Sequence, residues 1–142
     1  REVVRLVTPG TLTEEALLDA RRHNYLAAWA EVRGEGALAW VDISTGALAT
    51  VACPLVNLGP ELARLAPREV LLAEGSDGAI RRLVEESGAA LTELARSSFD
   101  STGGEQRLCA VFGVATLEAF GRFDRAEVAA MAGLVAWIEI TQ

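Results

Sequence analysis

At 142 residues, 51% of them hydrophobic and 23% charged, the chain fits one domain with a real core, and its composition is not that of a disordered protein. Its net charge of −7 argues against autonomous duplex binding, which rests on a basic face neutralising phosphates. All 13 basic residues are Arg, so a phosphate loop of the G-x-x-x-x-G-K-[ST] kind is excluded by its missing Lys.

No apolar run approaches the roughly 20 residues of a membrane-spanning helix, and no basic stretch precedes an apolar one at the start. A soluble, cytoplasmic protein without a membrane partner is expected. Cys53, Cys109 and the single His23 fall short of the four ligands of a structural zinc site. Two small apolar thiols in a reducing compartment are expected instead. His23 has no Ser or Cys nucleophile nearby, so a catalytic triad has no support. The chain begins at Arg1, inside what reads as a strand, which suggests a piece of a longer protein.

Glu2 to Val7 is β-branched and extended, and Thr8-Pro9-Gly10-Thr11 reverses the chain. Thr11 and Glu14 match a capping box for a short helix running to about Arg22. Three sequential antiparallel strands are predicted next, at about Asn24 to Val32, Ala37 to Ile43 and Ala47 to Ala52. Gly34-Glu35-Gly36 joins the first two. Ser44-Thr45-Gly46 joins the second pair, with Gly46 free to take positive φ.

After Pro54 the period changes to helix–strand alternation. Asn57 is a candidate cap for a helix burying Leu58, Leu62 and Leu65. Val70 to Ala73 reads as a buried strand. Ser76 or Asp77 caps the next helix, which turns Ile80, Leu83 and Val84 inward, and Ala89 to Leu94 is the last strand. Ser98 or Asp100 caps a helix carrying Leu108, Val111 and Phe112 and ending at Gly113. A brief turn of helix holds Leu117 and Phe120. Asp124 then caps the longest helix, Arg125 to about Thr141, with Val128, Met131, Val135 and Ile138 inward. Leu134 and Trp137 fall off that stripe, which predicts a second apolar surface facing something absent from the chain.

This order is that of the ribonuclease H fold: an α/β protein with a mixed five-stranded sheet flanked by helices, ending on a long C-terminal helix. The fold alone is compatible with nucleases, kinases and inert modules. Two-metal phosphodiester cleavage requires carboxylates converging on ions about 4 Å apart. The first strand instead offers Leu26-Ala27-Ala28-Trp29-Ala30, with Glu31 near its end, and Glu69 and Glu74 flank the Val70 strand. Asp42 alone cannot hold two metals.

One reading of Asp42-Ile43-Ser44-Thr45-Gly46 is a phosphate-cradling turn like that of sugar-kinase-like proteins, giving a small phosphate- or nucleotide-binding domain. The other is that Asp42 and Gly46 structure the turn, the carboxylate accepting from turn amides and a Ser44 or Thr45 hydroxyl. The second is favoured.

Val4 to Thr11, Glu15-Ala16-Leu17-Leu18, Asn24 to Ala28 and Asp42 to Gly46 resemble, in order, the connector region of the MutS-type DNA mismatch-repair family. Glu61 to Arg64, Pro67 to Leu71, Phe112-Gly113-Val114, Phe120-Gly121 and Glu139 to Gln142 extend the resemblance over nearly the whole chain.

The resemblance implies that residues 1–22 are the tail strand of a preceding mismatch-recognition domain and a linker, and that residues 23–142 are a ribonuclease H-like connector. For the parent protein it implies mismatched-DNA binding, ATP and Mg in an ATPase domain, and recruitment of MutL, with the connector at the MutL-facing surface and against other domains of the same chain. The Phe-x-Glu mismatch wedge is absent here, and the ATPase loop is excluded. No catalytic, cofactor-binding or metal residue is therefore carried over, and little or no direct DNA contact is expected. The candidate partner surface is the exposed side of the Ser101 to Val111 helix, around Glu105, Gln106 and Arg107.

Overall fold

The computed structural model describes residues 24–113 and 123–141, and the backbone of Glu2–Arg5. The chain forms β1 (Glu2–Arg5), β2 (Tyr25–Val32), β3 (Glu35–Asp42), β4 (Ala47–Ala52), α1 (Leu55–Leu65), β5 (Glu69–Ala73), α2 (Gly78–Glu86) and β6 (Ala90–Leu94). A 3-10 turn at Arg96–Phe99, α3 (Ser101–Phe112) and α4 (Arg125–Thr141) complete it. The expected capping box at Thr11 and Glu14, His23, and the turn at Leu117 and Phe120 lie outside the described residues.

The sheet order is β1-β4-β3-β2-β5-β6. β2, β3 and β4 form an antiparallel meander, while β5 and β6 add in parallel to β2. All five expected strands are present, and the sheet has one more. β1, assigned from sequence to a preceding domain, pairs antiparallel with β4, Val3 opposite Ala49.

The β2–β3 reversal is Arg33-Gly34 rather than Gly34-Glu35-Gly36. Both residues take positive φ, as a two-residue primed turn requires. Gly36 lies inside β3, where a Cβ would come within 2.5 Å of the Cys53 carbonyl oxygen and 2.6 Å of the Trp29 ring. That closeness lets Trp29 Nε1 donate to the same carbonyl at 2.9 Å.

Alternation along the strands sends side chains to two covered faces. Ala27, Trp29, Leu38, Trp40, Val70 and Leu72 meet Leu58, Leu62, Leu65, Ile80 and Val84 of α1 and α2. Ala28, Ala30, Ala39, Val41, Leu48 and Leu71 meet Leu108 of α3 and Val128, Met131, Leu134 and Val135 of α4. Small alanines on both partners let α4 settle close to the sheet.

One helix start and one helix face differ from the sequence reading. α1 begins at Leu55 with Pro54 as its cap, and Asn57 lies in the first turn with its N–H on the Pro54 carbonyl at 2.8 Å. Of the paired candidates, Asp77 caps α2 through Ala79 N, and Asp100 caps α3 through Thr102 N and Gly103 N. Val111 is 43% exposed rather than inward.

Leu134 is fully buried within the main core, and Trp137 packs partly against it. The expected second apolar surface at Leu134 is therefore internal. α4 is enclosed by the sheet on one side and by α3 and the 3-10 turn on the others, and every residue from Ala126 to Ala136 is buried.

Candidate functional site

The residues singled out from the sequence fall in two places: the Asp42 turn and the outer surface of α3.

Asp42 ends β3 and is 4% exposed. Its Oδ1 accepts from Ser44 N at 3.0 Å and Ser44 Oγ at 2.5 Å, while its carbonyl accepts from Thr45 N and Gly46 N at 3.1 and 2.7 Å. Ala47 N donates to Thr45 Oγ1 at 3.2 Å, and Ile43 N to the Asn24 carbonyl at 3.1 Å. Gly46 supplies a φ of +75°. Every amide from residue 43 to 47 thus donates inside the protein, which leaves none aimed at a phosphate. A cradle for a nucleotide needs the reverse, a row of amides pointing outward.

The carboxylates do not converge on Asp42. Tyr25 pairs with Asp42, so that acid sits at the N-terminal end of β2, whereas Glu31 lies at the far end. Glu69 accepts from Thr92 Oγ1 across the β5–β6 pair. Among the described residues no group of three or more His, Cys, Asp or Glu is placed to hold a metal ion.

Glu127 was not singled out from the sequence. It is 9% exposed, and it accepts from Thr50 Oγ1 at 2.7 Å and Asp124 N at 3.0 Å, while Glu127 N donates to Asp124 Oδ1 at 2.8 Å. This is a reciprocal capping box. The Asp124-x-x-Glu127 spacing carried the signal.

On the other surface α3 crosses α4 at Gly104, and the 3-10 turn packs Phe99 on Gly133 of α4. A Cβ on Gly104 would lie 2.5 Å from Ala132 Cβ, and one on Gly133 would lie 2.2 Å from the Phe99 ring. Two ion pairs straddle the crossing: Glu105 Oε1 to Arg125 Nη1 at 3.4 Å, and Arg107 Nε to Glu139 Oε1 at 4.0 Å. The structure therefore turns two of the three candidate partner residues, Glu105 and Arg107, toward α4. Gln106 between them faces outward, on the side shared by exposed Ala110 and Val111.

The family model for MutS domain II matches residues 24–142. The chain belongs to the MutS domain II family.

Its curated relatives include the DNA mismatch repair protein MutS of Dinoroseobacter shibae, 66% identical over 142 residues, and that of Cereibacter sphaeroides, 63% identical. Both alignments cover 100% of this chain and 16% of the relative, so the MutS domain II chain spans about a sixth of the length of these proteins. Among solved structures, it superposes on Thermus thermophilus RuvC in complex with a Holliday junction substrate. The TM-score is 0.54 at 12% identity, covering 84% of this chain and 97% of RuvC. This likeness shows the fold, which is ribonuclease H-like.

Proposed function

We propose that the chain is the non-catalytic connector of a MutS-type mismatch-repair protein. It would join mismatch recognition to the ATPase and lever regions and offer MutL the outer surface of α3. The observation that carries this reading is the family match over residues 24–142, together with relatives named DNA mismatch repair proteins of which the chain spans 16%. Residues 1–22 would be the tail of the preceding domain and the linker, and residues 23–142 the connector. The parent protein would act in the cytoplasm, bind mismatched DNA, and hold ATP and Mg in a separate domain. Carboxylates committed to turns and caps, and turn amides that donate internally, support a domain without chemistry of its own.

Gln106→Arg is the cleanest probe of the MutL surface, because it leaves the Glu105–Arg125 and Arg107–Glu139 pairs in place. In the full-length protein this change should cut MutL capture roughly tenfold, the effect of losing an interface hot spot, while ATPase and mismatch binding stay at wild-type levels. Unchanged capture would remove α3 as the partner surface. Metal-dependent cleavage of nucleic acid that Asp42→Ala abolishes would overturn the non-catalytic reading.

A further inference from the structure

We draw no further inference here: the strongest candidate, the cleft outside the carboxyl ends of β2 and β5 where Arg96 lies against Gly75 beside the first turn of α2, rests on a helix N-terminus and one exposed arginine that shares its wall with the carboxylates of Glu31 and Asp77, and no buried, unpartnered polar side chain among the described residues points to a ligand there.

Discussion

The two carboxylates buried among the described residues, Asp42 and Glu127, are held in the same way: each accepts from one backbone N–H and one hydroxyl. A buried acceptor removed from such a pair leaves its donors unsatisfied, at about 1 to 3 kcal/mol. Asp42→Ala should lower stability by that amount in urea titrations, whereas Asp42→Asn keeps an acceptor for Ser44 and should recover most of the loss. Asp42 stands out in the sequence because it is the lone charge between Ala37 and Cys53. The capping half of the Glu127 contacts is written in the Asp124-x-x-Glu127 spacing, whereas its bond to a strand threonine 77 positions away has no local signal.

Cys53 offers a pH test at the same scale. Its burial, reinforced by the nearby Glu61 carboxylate and only partly offset by the Trp29 hydrogen bond, pushes the thiol from 9.0 up to about 11. Between those values the unfolded chain has lost the proton that the folded chain keeps. Stability should therefore fall as pH rises from about 9 to about 11, by on the order of 2 kcal/mol, and should be insensitive to this group below 9. Cys53→Ala should flatten that slope in denaturant melts taken across the window.

At the scale of elements, the strands were legible because turn residues bracket them: Gly46 and Pro54 mark the ends of β4, and Gly88 opens the approach to β6. Helix faces were less so. A stripe of large side chains marks one buried side, but α4 is covered all round, and the alanines and Gly133 that make this possible carry little periodic signal. For the same reason Val111, at correct helical spacing, faces water: α4 occupies the Gly104 and Leu108 side of α3 and does not reach it. Gly104→Val puts a branched side chain where Ala132 already sits. It should cost at least 1 to 3 kcal/mol, as overpacking does, and should detach α3 first, seen as faster amide exchange in Ser101–Phe112 than in β2.

At the scale of the molecule, the order of strands and helices carried the fold class, since three antiparallel strands followed by helix–strand alternation admits few topologies. The pairing of β1 did not follow from that order, because an edge partner of β4 can come from outside the matched domain. Surfaces were the least legible, because whether Glu105 and Arg107 meet a partner or α4 depends on a helix crossing set at Gly104.

The enclosure of α4 also sets an order of events during synthesis. The meander that forms the centre of the sheet is complete at Ala52, yet the helix that covers one of its faces is the last of these elements to be made. The roughly 90 intervening residues take on the order of 5 to 20 s at typical ribosomal rates. For that time Ala28, Val41 and Leu48 have no lid, and a nascent chain stalled before Asp124 stays in that state. A chain truncated there should bind ANS and scatter light where the intact domain does neither. The quality of folding in the cell then depends on how promptly the final helix arrives.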